Sequence, residues 1–544
     1  MTIPGRPTGV LSDRRGAWAF WIGCAAVTVG VLAHLPMVWM ARDMGFRLAG
    51  MPMDPGMIGG MGLIVAGVAV AGFGLLPRRN LQAEAQAARV HVSAPEDAPL
   101  TSAHWRLMAL LVVALVIDVM KPASLGFVVP GMIREYGVAK STVALLPFAA
   151  LAGTVAGSIV WGLLADVFGR RASILLSAVM FVGTSICGAM PSLWWNVGMC
   201  FLMGAAAGGM LPVAYALLAE SMPSRHRGWS MVLIGGLGAV GGYLAASSLS
   251  AALQPTFGWR IMWFLGMPTG LILILLNGAI PESARFLLSL GRVDEAHAVL
   301  RRFGSRIIEG PDDGSADAEA GLTHGGAATP PVSRKYLSKT VSLSVVALTW
   351  GLVNFGLLLW LPADLTAKGY SMGALSRLLA LSALLAAPTV FLCAFLYSRW
   401  STKWSLVLMT GIMALGLALV LHIETAQGPA LSPIVPVALL IVGSNGVLAI
   451  LLPYAAESYP LRVRGRGTGW VAACSKFGGL LAQLLAIMAA APAVGAAAGL
   501  IMIPTLLAMV LIAWFGAETR GRDLRDLEAD PSPQLTVAQA AARL

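Results

Sequence analysis

Three charged side chains stand where charge is most costly. Asp118, Lys121 and Lys476 each fall near the middle of a long apolar run. At bilayer depth an ionic group is expensive unless it faces a cavity or a partner, so such residues mark substrate or proton pathways. Asp118 and Lys121 are three residues apart and share one face of a helix. A carboxylate there can gain and lose a proton, and an ammonium can hold an organic anion. Asp118 is therefore read as a proton carrier, with Lys121 and Lys476 as anion holders. The plainer alternative is a silent structural pair between Asp118 and Lys121. Asn354, Asn445, Tyr215 and Gln483, with Trp350, Trp360 and Tyr243, are polar or amphipathic residues inside other apolar runs. Each can line a cavity, and each can equally serve as hydrogen-bonding glue between helices.

A second set gathers at the ends of the runs. Gly162-Leu-Leu-Ala-Asp166-Val-Phe-Gly169-Arg170-Arg171 packs an acid, glycines and two arginines into one short loop. Ala219-Glu220-Ser221-Met222-Pro223-Ser224-Arg225-His226-Arg227-Gly228 is followed 237 positions later by Ala456-Glu457-Ser458-Tyr459-Pro460-Leu461-Arg462-Val463-Arg464-Gly465. Pro281-Glu282-Ser283-Ala284-Arg285 and Glu518-Thr519-Arg520-Gly521 close the two copies. Arginine can grip a carboxylate bidentately. Acids at helix ends beside arginines in loops can latch two bundles and release them. The plainer alternative is ordinary charge that fixes topology. The second copy lacks the opening loop, since Arg399 to Trp404 holds no aspartate and no glycine. The latch is therefore expected to be asymmetric.

The elements that carry these residues are membrane helices. The chain has 544 residues, 57% hydrophobic and 12% charged, where a soluble domain carries about 25% charged. Apolar runs at 17–41, 57–77, 106–130, 142–165, 173–191, 197–219, 230–252, 260–280, 339–362, 374–397, 404–423, 432–453, 467–490 and 495–516 each have bilayer-spanning length. Short alternating segments of the barrel kind are absent. The net charge of +11 sits in alternate loops, as the positive-inside rule requires, rather than marking nucleic acid. That pattern places both termini in the cytoplasm. The first run is too long for a signal peptide and is read as a retained span.

The repeat organises the chain. Residues 1–104 form a two-helix extension and linker. Residues 105–285 and 339–520 form two six-helix bundles. Residues 286–338 form a cytoplasmic central loop, disordered around 311–331, and 521–544 a cytoplasmic tail. Val293 to Arg302 has helical spacing and is expected to lie along the membrane surface.

The loop from Gly162 to Arg171 resembles the signature G-x-x-x-D-x-x-G-R-R between the second and third helices of the major facilitator superfamily. The resemblance implies an all-α integral membrane protein with the superfamily's twelve-helix fold, two six-helix bundles, plus two extra N-terminal transmembrane helices, fourteen spans in total. It also implies rocker-switch alternating access around a midplane site. The resemblance further implies that Asp166, Arg170, Arg171, Glu220, Arg225, Glu282, Arg285, Glu457, Arg464 and Glu518 form a network that stabilises the outward-facing state, as it does in that family. Pro281 to Arg285 resembles the PES-x-R motif of sugar-porter-like members. Asp118 to Pro130 is similar to the first helix of aromatic-acid:proton symporters, which carry D-x-x-D before G-F-x-x-P. Asp118, Gly126, Phe127 and Pro130 match, and Lys121 replaces the second aspartate. Lys476 stands where many relatives have arginine. The R-F-L-x-G of the fourth helix is absent, its place taken by Cys200 to Gly204.

The expected function is secondary transport of a small organic anion, brought in with a proton across the cytoplasmic (inner) membrane by a multi-pass protein that is not an enzyme. A sugar or polyol carrier, a drug exporter and a transporter-like sensor are the alternatives. Lys121 and Lys476 disfavour the first. The fifth helix lacks the G-P pair of drug antiporters, and no signalling domain is visible. The expected partners are the substrate, protons and membrane lipids, with no nucleic acid, cofactor or metal. A monomer is expected, with partner contact through the N-terminal hairpin left open. Cys24, Cys187, Cys200, Cys393 and Cys474 all lie in apolar runs and predict no disulfide. His34 with Met37, Met40, Met44, Met51, Met53, Met57 and Met61 could offer soft ligands to Cu(I), or simply pack.

Overall fold

The computed structural model describes residues 14–75, 91–93, 99–304, 306–308, 334–425, 434–459, 461–488 and 493–520. The loop centre at 311–331 and the tail beyond 520 lie outside them. Among the described residues, thirteen helices are long and apolar enough to cross a membrane. The remaining expected span, 260–280, is shorter. It is an apolar stretch, Ile261–Leu275, followed by the 3-10 turn Leu276–Ala279. Several helices outrun their apolar runs. The expected 106–130 is Ser102–Tyr136, and 339–362 is the interrupted helix from Arg334 to Ala367. Hydropathy ends at the membrane surface, whereas backbone hydrogen bonding continues past it.

The chain is not wholly α-helical. His91–Ser93 of the first linker pairs antiparallel with Arg306–Ile308 of the central loop. This short strand pair is the one departure, among the described residues, from the expected all-α fold, which is otherwise helical. Two polar segments expected to act only as linkers are stitched together, a pairing of residues about two hundred positions apart that hydropathy cannot show. Val293–Arg302 is helical as expected, with Ala296 and Leu300 buried.

The two N-terminal helices, Arg14–Leu32 and Pro55–Leu75, pack as an antiparallel pair. Their seam is made of glycine. Gly16, Gly23 and Gly30 face Gly74, Gly67 and Gly60. A methyl group on Gly23 would sit 2.5 Å from the Ala71 amide nitrogen, and one on Gly30 would sit 2.7 Å from the Gly60 carbonyl. Such backbone-to-backbone approach is how helices associate in lipid, where tails are as apolar as leucine. The pair then rests on Arg170–Gly183, with Val27 and Ile64 against Gly183. His34 at its turn is buried, its Nδ1 2.8 Å from the Gly30 carbonyl. Met37 and Met57 are buried, and Met40 and Met44 are exposed.

Two helices organise the centre. Ser102–Tyr136 starts with a reciprocal cap between Thr101 and His104 and ends at Gly137 in the left-handed region. Ser224–Phe257 packs along it, with Gly238 and Gly242 close enough that a methyl group would strike Leu115 and Val119. The same helix faces the second half, where Gly236 meets Val390 and the hydroxyls of Ser250 and Ser376 are 2.8 Å apart. Elsewhere between the halves, Gly126 lies against the Leu359 carbonyl, and the Lys140 ammonium is 4.9 Å from the centre of the Trp360 ring. The helix Arg334–Gly351 passes into a π-helical turn, Leu352–Leu357, before Leu358–Ala367. π-turns cluster at functional sites because the extra residue per turn re-aims side chains.

Candidate functional site

Asp118 is buried in the middle of Ser102–Tyr136, and its Oδ1 has no hydrogen-bond partner among the described residues. The charge acting on it is Lys476, from Leu461–Ile487 in the other half. Among the described residues Lys476 makes no hydrogen bond. Its ammonium lies 4.9 Å from the centre of the Phe355 ring and 5.9 Å from that of Trp350. Phe355 is in the π-turn, so the irregular backbone delivers an aromatic face to the cation. A cation over aromatic faces is held without being neutralised. Among the described residues, then, an acid on one helix and a cation on another lie close enough for each to act on the other's charge, with no hydrogen bond on Asp118 Oδ1 or on the ammonium.

Lys121 does not join them. Its Nζ donates to the Phe181 carbonyl at 2.6 Å and to Thr184 Oγ1 at 2.8 Å, and it lies 4.8 Å from the Phe181 ring centre. Gly266 clears the space, since a methyl group there would be 2.4 Å from Lys121 Cε. The silent pair Asp118–Lys121 is thus not what the fold brings together. Three residues along a helix leave the two side chains about 60° apart around the axis, so it is the groups packed against each, Phe181 and Thr184 for Lys121, that separate them.

The remaining cavity candidates divide. Asn354 in the π-turn and Asn445 in Ile434–Ser458 are half-buried. Tyr215 is half-buried against Gly235, which leaves room for its hydroxyl. Gln483 is fully buried and committed. It donates to the Phe355 carbonyl and accepts from Trp360 Nε1 at 3.0 Å, tying its helix to the π-turn. Tyr243 Oη, of a residue singled out from the sequence, and Ser444 Oγ, of one that was not, are buried without a hydrogen-bond partner among the described residues.

At the end of the molecule carrying the repeated motifs, the acids act mainly as helix caps. Glu282 Oε1 accepts from the backbone amides of Arg170 at 2.9 Å, Ser283 at 2.9 Å and Arg171 at 3.4 Å. A carboxylate at the start of Arg170–Gly183 meets the positive end of that helix. Gly169 permits this contact. Its φ is +92°, and a methyl group on it would fall 2.6 Å from Glu282 Oε2. Burial pushes the Glu282 carboxyl up to about 7, against the three amides and the Arg170 charge that favour its ionised form. Arg170 also bonds Glu220, at 3.2 Å.

The second half repeats the device. Glu518 accepts from the Thr402 amide at 3.0 Å and hydroxyl at 2.7 Å, and from Ser401 Oγ, at the start of Thr402–Thr425. Partial burial acts to raise this carboxyl, but those bonds and the Arg520 amide hold it below the ordinary range. The asymmetry expected from the missing loop is therefore partial, because hydroxyls replace it. The contacts of Glu220, Glu282 and Glu518 run within one half each. Glu457 bonds Tyr397 at 2.6 Å and Thr519 at 2.8 Å, and its carboxylate also lies against Gly228 of the first half. Arg225, whose side chain is exposed, begins the helix that Gly228 continues. The side chains of Gly162, Asp166, Arg285 and Arg464 lie outside the described residues.

The opposite end holds a buried polar cluster that sequence reading missed. Arg260 and Glu135 form an ion pair at 2.6 Å, both nearly inaccessible. Arg260 also donates to the carbonyls of Gly188 and Met190, and Trp259 Nε1 donates to Glu135. The backbone amides of Leu48 and Ala49, in the turn between the first two helices, bond to Glu135 as well. No local signal could have linked Glu135 to Arg260, which lies in the turn before Ile261–Phe264, more than a hundred residues along the chain.

A multi-pass helical membrane protein with an acid and a cation facing each other between two packed halves has the build of a solute carrier. Residues 107–483 match the family profile of the Major Facilitator Superfamily, and the chain belongs to it. It is a membrane transporter and not an enzyme. It is 24% identical over 439 residues to the niacin transporter NiaP of Acinetobacter baylyi, covering 80% of this chain and 99% of the relative. It is 28% identical over 396 residues to the 4-hydroxybenzoate transporter PcaK of the same species, covering 70% and 84%. Among solved structures, the proton:xylose symporter XylE aligns with a TM-score of 0.62 at 18% identity, over 79% of this chain and 99% of that one, which shows the fold. The two N-terminal helices precede the family match.

Proposed function

We propose that this protein carries a small organic anion, of the aromatic monocarboxylate kind, across the cytoplasmic membrane together with a proton. The observation that supports this most is the unpartnered carboxylate of Asp118 facing the unneutralised ammonium of Lys476 across the two halves. Relatives named for niacin and 4-hydroxybenzoate transport support the substrate class. In this reading a proton on Asp118 frees Lys476 for the substrate carboxylate, and loss of that proton restores the internal pair. One proton and one monoanion move together, and no net charge remains in the membrane. Asn354 and Asn445 offer further hydrogen bonds to the ring substituents. Lys121 serves by holding its own half together, and Gln483 by fixing the π-turn. The architecture we propose is two bundles, 105–285 and 339–520, with an N-terminal pair outside them, fourteen spans in all and both termini cytoplasmic. The ends bearing Glu282, Glu457 and Glu518 then form the cytoplasmic gate.

Uptake of labelled nicotinate and 4-hydroxybenzoate into proteoliposomes tests this. Asp118→Asn should abolish accumulation driven by an imposed pH gradient yet retain counterflow exchange. Undiminished uphill uptake in that variant would remove Asp118 from the mechanism. Binding without any flux in the unmodified protein would instead favour a sensor.

A further inference from the structure

The end of the molecule opposite the repeated motifs holds a cavity of about 540 Å³, within the size range of small-molecule sites, roughly 300–1,000 Å³. Three separate parts of the chain build it. Phe46 and Arg47 come from the turn of the N-terminal pair, Arg134 and Trp259 from the first half, and Arg377 from the second. Its lining includes four arginines and a single acid, Glu135. That acid is fully committed to Arg260, Trp259 and the amides of Leu48 and Ala49. Arg260 is likewise committed, to Glu135 and two carbonyls. The other three guanidinium groups are exposed. Among the described residues Arg47 and Arg134 make no hydrogen bond or ion pair, and Arg377 donates only to the Gly373 carbonyl. The cavity therefore carries three uncompensated positive charges beside two aromatic rings.

We infer that this cavity is an outer binding site for an aromatic carboxylate, separate from the pair Asp118–Lys476 and completed by the N-terminal helices. Guanidinium groups converging on one space suit a carboxylate, which takes two parallel hydrogen bonds. Phe46 and Trp259 suit the ring attached to it. The turn that brings Arg47 is fixed in place by Glu135 through two backbone amides. This gives the extra pair of helices a task beyond packing. Arg377 moves with one half while Arg47 and Arg134 move with the other, so the site is whole only while this mouth is closed. The anion is thereby collected at the threshold and released inward as the halves tilt. The ligand class rests on the carrier reading above. The site itself rests on the cavity and its arginines.

Photolabelling of the full-length protein in proteoliposomes with 4-azidobenzoate, followed by peptide mapping, tests the inference. Adducts are expected within residues 45–47, 258–260 or 371–377. They should fall about tenfold in Arg47→Gln/Arg134→Gln, the effect of losing a charge-assisted hydrogen bond, and persist in Lys476→Gln. The uncharged analogue 4-azidobenzamide should label these segments about tenfold less than the acid, by the same reasoning. No adducts at this mouth, or equal labelling by the amide, or labelling indifferent to the arginine substitutions, would each overturn the inference. Adducts near residues 350–355 or 476 that vanish only in Lys476→Gln report on the central site, so the two readings fail separately. Because Arg47, Arg134 and Arg377 are exposed, folding of the variants is not at issue, and Arg377→Lys supplies a conservative control expected to keep most of the labelling.

Discussion

Glu282 offers a sharp test of how the gate end is held. Its carboxyl is buried, and burial lifts it from 4.5 to about 7 despite three amide bonds. The fold thus prefers the protonated acid, and between those values the folded state binds more protons than the unfolded one. Stability must therefore fall as pH rises from about 4.5 through about 7, and stay at the lower level above that. At about 1.4 kcal/mol per pH unit, the interval corresponds to about 3 kcal/mol. Glu282→Gln keeps an oxygen for the amides of Arg170 and Arg171 but cannot ionise. Thermal unfolding of the detergent-solubilised protein should then give similar midpoints for both proteins near pH 5. By pH 8 the unmodified protein should fall below the variant by an amount on the order of a few degrees. The residue lies outside the membrane spans, so the readout is the cap itself. Parallel curves for the two proteins across this range would show that the carboxyl is not desolvated as the geometry requires, and the reasoning would fail.

Other predictions concern separate contacts. Glu135→Gln leaves Arg260 buried without its counter-charge and should cost about 3–5 kcal/mol, read as a drop in the unfolding midpoint, with protease sensitivity appearing near Leu48. Gly266→Val would drive a side chain into Lys121 Cε and Ser185 Oγ and should cost about 1–3 kcal/mol, while Gly278→Val, which meets nothing within 4 Å, should be neutral. Lys476→Gln should raise the apparent KM for an anionic substrate by about tenfold or more, the loss of a charged hydrogen-bond donor. Among the described residues Lys476 makes no hydrogen bond, so the unfolding midpoint should drop less than in Glu135→Gln, where an ion pair at 2.6 Å is broken. Glu518, held below the ordinary carboxylate range, should behave oppositely to Glu282. Its contribution is present above about 4.5 and is lost as pH falls through the lower folded value, so Glu518→Gln should remove more stability at pH 7 than in strongly acidic solution.

The sequence by itself determined that this chain lies in a membrane, where its helices run, that it repeats, and which residues are costly enough to carry function. Those conclusions follow from quantities that accumulate along the chain. Apolar length, alternating loop charge and a fixed offset between like segments need no knowledge of which helix touches which. The glycines of the first two helices drew no notice in the sequence, and only the close approach of the two backbones gave their spacing meaning. Direction and partnership were decided by the tertiary structure. Spacing put Asp118 and Lys121 side by side, yet packing sent one toward Lys476 and the other to Phe181 and Thr184. Glu282 looked like half of a latch and became the cap of a helix begun more than a hundred residues earlier. Glu135 and Arg260, far apart in sequence, drew no notice until they met. A charge announces its own cost locally, but the partner that offsets it is chosen by the path of the backbone through space.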